Sequence, residues 1–281
     1  MLNHWGAFCM NNLGIGISLR RKHYDEIFES EQPFDWLEII SENFMRFGGH
    51  PRNVLDKAKE KWSIVPHGIS LAIGSVDPLN LDYLTKLKAL TKRINSPWFS
   101  DHLCFSSAFG HYYHDLLPLI RTKESLNHLI PRIREVQDRI ELPFALENIS
   151  FYYESPDSKI PEHEFLNELL DKTGANLLLD VNNVYVNSLN HKFDPDEFIK
   201  KLNLDRVVQI HLAGHDDSGD IVIDTHGAEV CDPVWNLYER TLRLLGRPVS
   251  TLIEWDNNVP ELDCLNAEVV RAKSIIQKVF K

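Results

Sequence analysis

Eight short apolar runs recur along the chain, most of them followed by a polar turn and an amphipathic stretch, and this alternation limits the folds open to it. The runs are LGIGISL (13–19), DWLEIIS (35–41), SIVPHGISL (63–71), WFSDHLCF (98–105), PFALENIS (143–150), ANLLLDVNNVYV (175–186), RVVQIHLAG (206–214) and VSTLIEWD (249–256). Between and after them lie LDYLTKLKALTKRI (81–94), SLNHLIPRIREVQDRI (125–140), EHEFLNELLDKTG (162–174), DPVWNLYERTLRLLG (232–246) and AEVVRAKSIIQKVF (267–280), with apolar residues at helical spacing. Thr173-Gly174 and Gly246 are helix stop signals, and Pro131 is expected to kink or restart its helix. Strands alternating with helices pair in parallel through right-handed crossovers. Eight such units in 281 residues predict an α/β chain folded as one (β/α)8 TIM barrel, which typically takes about 250 residues. A doubly wound sheet is the alternative, but the first unit carries no GxGxxG or Walker loop. No Gly/Ser/Pro-rich linker divides the chain, so residues 13–281 read as a single barrel domain and residues 1–12 as an N-terminal extension.

The formal net charge is −11, with Lys and Arg dispersed, which argues against a nucleic-acid surface because phosphate contacts need a basic patch. Cys9, Cys104, Cys231 and Cys264 lie far apart without a CxxC, so neither a disulfide framework nor a zinc ribbon is expected, and a reducing cytoplasm fits. No apolar run approaches the ~18 residues of a membrane span. The opening MLNHWGAFCMNN lacks the basic and apolar segments of a signal peptide, and Met10 offers a second start.

Thirteen histidines are many for this length. His23, His128 and His163 fall in helical stretches and are expected on the surface. Others fall at strand ends, among carboxylates and amides. Glu38 and Glu42 follow strand two, His67 lies in strand three, and Asp101 and His102 in strand four. Glu147 and Asn148 lie in strand five, Asp180, Asn182 and Asn183 in strand six, His211 and His215 at strand seven, and Glu254 and Asp256 at strand eight. IVIDTHGAEV (221–230) starts as an apolar strand and then places Asp224 and His226 in the loop after strand seven. In a barrel, the C-terminal strand ends converge on one mouth. Gathering so many ionisable groups there is costly unless protons or metal ions compensate. Imidazole with carboxylate suits iron, zinc and manganese, and several carboxylates can bridge two ions.

Each of these residues has a plain structural explanation. A strand histidine is usually a satisfied core residue, Asp-X-His can be an Asx turn, and SDHL could cap a helix, though it sits in a run without helical period. Their joint placement at one end of successive strands favours a multinuclear metal site. His111 and His114 in GHYYHD, and His50 in GGHPR, are expected on loops, touching substrate or solvated. Cys104 should face the way His102 does if strand four continues, as a core thiol or one beside the site rather than a nucleophile. WDNNVPEL (255–262) reads as a loop over the mouth.

In order, ENF (42–44), HGISLAIGS (67–75), SDHLCFS (100–106), LENIS (146–150), LLLDVNNVYVN (177–187), QIHLAGH (209–215), DTHG (224–227) and IEWD (253–256) closely resemble the multinuclear non-haem iron-dependent oxidative enzymes. That bacterial family of methanobactin-biosynthesis-enzyme-like TIM barrels modifies ribosomally made peptides, and the resemblance runs from about residue 14 to about residue 268. It implies metal ligation by His67, His102, Glu147, Asp180, His211, Asp224, His226 and Glu254. Asn148, Asn182, Asn183 and His215 then support the ligands or touch substrate. Endonuclease IV, a trinuclear zinc barrel, is similar in ligand order but has a histidine where this chain has Asn183. One metal position is therefore expected to be weaker, water-filled or different here.

The resemblance further implies two or three irons of mixed ferrous and ferric state, dioxygen as co-substrate, and oxidation of a precursor-peptide residue, most often cysteine at its Cβ. It also implies a small partner protein that holds the leader of the peptide. The rival classes are a zinc-dependent phosphodiesterase of the endonuclease IV kind, a sugar-isomerase-like barrel with two divalent ions, and a non-catalytic metal-binding scaffold. The acidic balance and Asn183 oppose the first. The second would place a lysine or histidine near a sugar carbonyl, and no lysine falls in the strand-end motifs. The third should show gaps in the ligand set.

Overall fold

In a computed structural model, which describes residues 10–45 and 48–281, the eight apolar runs form eight short parallel strands. Cys9 and residues 1–9 of the expected extension lie outside the described residues. The strands are β1 (Ile15–Ser18), β2 (Trp36–Ile40), β3 (Ser63–Gly68), β4 (Phe99–His102), β7 (Phe144–Glu147), β8 (Asn176–Asp180), β9 (Val207–Leu212) and β10 (Ser250–Ile253). They close in the order β1-β10-β9-β8-β7-β4-β3-β2, each pair parallel, so the TIM-barrel expectation is met. Between β4 and β7 the chain adds an antiparallel hairpin of β5 (Phe105–Ala108) and β6 (His111–Leu117). The helices are α1 (Ser41–Phe44), α2 (His50–Ala58), α3 (Leu81–Ile94), α4 (Lys123–Ile140), α5 (Glu162–Thr173), α6 (Val181–His191), α7 (Pro195–Lys200), α8 (Asp232–Leu245) and α9 (Leu262–Val279). None of the described helices is long and apolar enough to cross a membrane.

Side-chain alternation along the strands sorts the barrel interior into layers. Trp36, Val65, Trp98 and Leu252 pack together as a buried floor. Gly16 permits it, because a Cβ there would lie 2.5 Å from the Trp36 ring. Two residues further along the same chain segments, Glu38, His67, Ser100 and Glu254 follow, all buried. Apolar filling thus gives way to polar groups towards the C-terminal strand ends.

Several local expectations are corrected. The run 175–186 is not one strand: β8 stops at Asp180, whose carboxylate accepts from Asn183 N at 2.6 Å and caps α6, so Asn182 and Asn183 lie in a helical first turn. The run 98–105 breaks at His102, where Cys104 N turns back to His102 O at 3.0 Å, so the premise for Cys104 and His102 sharing a face fails. Residues 221–223 are loop, held by the Asp216–Ile223 bridge and by Asn190, which exchanges hydrogen bonds with the Val222 backbone at 2.8 and 2.9 Å. His111 and His114 are on strand β6 rather than a loop, and His50 opens α2, stacked on Tyr24. Helix α4 runs unbroken through Pro131, because Leu126, Leu129, Ile133, Val136 and Ile140 bury both of its halves. His23 is fully buried, its Nε2 2.8 Å from Pro260 O; His128 and His163 are half-buried.

Candidate metal centre

One group of the site comes from adjacent strands. His67 near the end of β3 and His102 ending β4 bring their Nε2 atoms to 3.1 and 3.3 Å from Glu147 Oε2 at the end of β7. Their other nitrogens face away. His102 Nδ1 lies 3.0 Å from Gly68 O, and a carbonyl only accepts, so Nδ1 carries the hydrogen and Nε2 presents a lone pair. His67 Nδ1 meets Ser100 Oγ at 2.8 Å.

Glu147 reaches the next group with its other oxygen, 3.4 Å from His211 Nδ1. Glu254 Oε2 lies 2.8 Å from the same nitrogen, and Asp180 completes this group of four. Glu254 Oε2 is also 3.3 Å from His226 Nδ1, and Asp256 Oδ2 is 3.8 Å from it. The result is three groups that could each hold a metal ion: His67, His102 and Glu147; Glu147, Asp180, His211 and Glu254; His226, Glu254 and Asp256. Glu147 and Glu254 are each shared by two groups, as carboxylates that bridge neighbouring ions would be.

Seven of the eight expected ligands therefore meet in these groups. Asp224 stands beside them, its Oδ1 2.8 Å from His226 Nε2 and accepting from Asn182 Nδ2, its Oδ2 accepting from Ser150 Oγ at 2.9 Å. Asp256 joins the third group without having been among those eight. Asn148 braces Asp180 by exchanging hydrogen bonds with its backbone at 2.9 and 3.0 Å. His215 Nδ1 lies 2.8 Å from Asn182 Oδ1.

Without ions, protons balance the charge. Burial raises the Glu147 carboxyl, but His102, His211 and His67 hold it down at about 2. Burial lowers His211 and His226, yet the carboxylates around them push both well above the usual imidazole value. Burial also pushes Asp180 well up, with Glu147 and Asp224 adding to it, and Asp256 to about 6, with Glu254 adding. His67 is lowered by burial, with His102 and His211 adding to that against the opposing pull of Glu147 and Glu38. Burial drives the Cys104 thiol well above its ordinary range, which removes it as a nucleophile.

The fit to metal rests on donor atoms left over. Glu147 Oε2, Asp180 Oδ2, Asn183 Oδ1, His211 Nδ1, His226 Nε2 and Glu254 Oε2 are buried without a hydrogen-bond partner. His211 Nδ1 has a carboxylate oxygen 2.8 Å away and still makes no hydrogen bond by angle. Lone pairs crowded around common points without bonding one another match the geometry of ligands around cations.

Above the cluster opens a cavity of about 670 Å³, lined by His67, His102, Asn183, Asp224, His226 and Glu254 and, from the hairpin, by Tyr112, His114, Asp115 and Leu116. The 224–227 loop is clamped to the 255–261 loop: Asp256 N donates to His226 O at 2.7 Å and Asn257 Nδ2 to Thr225 O at 2.7 Å. His226 itself has φ +45, a left-handed backbone that a histidine adopts only when its surroundings impose it. Arg20 reaches across from behind β1, donating to Trp255 O at 3.1 Å, pairing with Asp256 and lying 3.7 Å from Glu254.

Sequence reasoning missed Gln209, Ser100, Ser150 and Arg20. Gln209 and Ser100 had a signal, each a polar residue in a buried strand two before a site histidine. Arg20 had none, since its partners lie more than 230 residues away.

Fold and donor set together define a TIM barrel with a candidate polynuclear metal centre at its mouth. A profile of the family described as RiPP precursor modification enzyme MbnB/TglH/ChrH, RiPP denoting a ribosomally made and post-translationally modified peptide, matches residues 14–277. The chain belongs to that family, and so is an enzyme that modifies a peptide precursor. Among its relatives, a UPF0276 protein of Anaeromyxobacter sp. (strain Fw109-5) is 49% identical over 269 residues, 96% of this chain and 95% of that one. A UPF0276 protein of Caulobacter vibrioides is 44% identical over 262 residues, 93% of each. Similar solved structures include D-psicose 3-epimerase from Clostridium cellulolyticum H10 (TM-score 0.57, 14% identity, 95% of this chain and 99% of that one). D-Allulose 3-epimerase from Methylomonas sp. has a TM-score of 0.60 at 14% identity, covering 95% and 98%. At such identities the likeness concerns the fold alone.

Proposed function

We propose that the chain oxidises a residue, most often cysteine, of a ribosomally made precursor peptide, using dioxygen and two or three irons held by His67, His102, Glu147, Asp180, His211, Asp224, His226 and Glu254. The observation that carries this reading is the set of buried, unpartnered donor atoms strung along two shared carboxylates. Iron bound there would supply affinity for a substrate thiolate and the capacity to activate dioxygen. The chain's own residues do the rest. Glu147 and Glu254 hold adjacent positions at fixed separation. Ser150 and Asn182 orient Asp224, and through it the 224–227 loop. Asn183 stands where endonuclease IV has a histidine, and its free Oδ1 is a weaker donor, so the position nearest it binds metal least tightly. The mouth between the hairpin and the 224–227 loop admits the peptide, with Tyr112 and His114 exposed on its rim. A small partner protein holds the leader, and the work is done in the cytoplasm without nucleic acid.

Elemental analysis of chain expressed with iron and purified without chelator tests the reading, together with turnover of the precursor peptide in air and under strict anaerobiosis. Two or three irons per chain and product only with dioxygen are expected. Zinc in their place, with no oxygen-dependent activity on iron reconstitution, would turn the assignment to hydrolysis.

A further inference from the structure

From Trp98 on the barrel floor, a fully buried chain of polar groups leads up to one ligand. Trp98 Nε1 donates to Gln209 Oε1 at 2.7 Å, which fixes the amide so that its nitrogen faces the barrel axis. That nitrogen donates to Glu38 Oε2 at 2.5 Å, and His211 Nε2 stands 3.2 Å from the same oxygen. Glu38 belongs to none of the three metal groups and is only 2% exposed. A buried carboxylate in a barrel core is costly, and neither packing nor the proposed ligation accounts for this one.

The geometry points to Glu38 as a positioning residue that selects the tautomer of His211, an inference resting on the metal reading above. As a neutral ligand, His211 has two options. Its Nε2 lies 2.8 Å from Gln209 Nε2, which can only donate, so Nε2 could accept from the amide. The hydrogen would then sit on Nδ1, pointing among Glu147 and Glu254, and Nδ1 could not bind metal. Alternatively Nε2–H donates to Glu38, and Nδ1 presents its lone pair to the two shared carboxylates' common point. The Glu38 carboxylate favours the second option, as an anionic acceptor gives the stronger bond. Gln209 and Trp98 hold that carboxylate in place. His211 is the sole imidazole of the middle group, so its tautomer governs whether that position fills.

The test uses Zn(II), a diamagnetic probe, on the whole chain. Zn(II) titration and the ¹⁵N spectrum of the histidine rings are recorded for the wild type, Glu38→Gln and Glu38→Asp, with the thermal midpoint of each metal-free protein. Wild type is expected to show His211 with hydrogen on Nε2 and zinc on Nδ1. Glu38→Gln keeps the shape and loses the charge; it should show hydrogen on Nδ1 and a middle-site affinity lower by on the order of 10–100-fold. A merely structural glutamate would lower the metal-free midpoint and leave the tautomer and the zinc affinity of the folded chain unchanged. Glu38→Asp, too short to reach, should lose zinc affinity as well. Affinity within twofold of wild type and an unchanged tautomer in Glu38→Gln would overturn the role of Glu38 while leaving the metal centre standing. Wild type that takes up neither Zn(II) nor Fe(II) would overturn the metal reading, and this inference with it.

Discussion

The two ends of the cluster are built differently. His67, His102 and Glu147 sit on adjacent strands, buried, with each imidazole's outer nitrogen tied to Ser100 or to a strand carbonyl. His226, Asp224 and Asp256 sit on loops, partly exposed, held by loop-to-loop hydrogen bonds and by Arg20. A strand-end ligand inherits the rigidity of the barrel, whereas a loop ligand can shift by the width of a substrate. Both ends line the cavity, His67 and His102 from the strands and Asp224, His226 and Asp256 from the loops.

The largest break in this contrast is expected from Glu147→Gln, which touches both rigid groups at once. Loss of a group that merely supports a ligand costs 10–100-fold in affinity, so loss of a shared ligand should cost at least ~10²-fold at two positions. Metal content should fall accordingly and peptide turnover should vanish; metal analysis of the dialysed variant checks this. His226→Asn, chosen because asparagine tolerates the left-handed backbone, should empty only the loop-held position. Two metals retained with turnover reduced by about 10–100-fold are expected; loss of all metal would mean that the two ends are not separable.

The third effect is one of pH. His211 and His226, raised above 6.5, stabilise the metal-free chain below pH 6.5, and that contribution is lost as pH rises through their folded values. A metal must displace those protons, so affinity at their positions should rise about tenfold per pH unit for each proton released. His67, lowered by burial, has little to give up. On acidification the position served by His67 should therefore keep its metal longest, as metal content after equilibration at stepped pH would reveal. Simultaneous loss would mean that the positions titrate as one.

Part of this was legible beforehand because strand alternation and the strand-end rule need only local sequence. The eight runs located the barrel, and polar residues at their ends located the cluster. Asn182 and Asn183 were assigned to a strand because LLLDVNNVYV is apolar on any period; the Asp180 cap decides for helix, and capping competes poorly with hydrophobicity in a one-dimensional reading. The hairpin is invisible because FSSAFGHYYHDLL, with β6 largely exposed, has no apolar stripe to betray it. Arg20 and the φ of His226 are products of closure, which joins chain segments that no local pattern relates.

Closure also ties any metal held by the cluster to the folded state of the chain. The donors run from His67 to Asp256 in sequence and are brought together by the closed barrel. An ion that binds the closed barrel and not the open chain adds about 2.7 kcal/mol to its stability when free metal is a hundredfold above the dissociation constant. Where that ion is scarce, the same polypeptide would lose that margin and open more often to proteases. Its abundance would then follow the metal by turnover of the protein, with no change in its transcription.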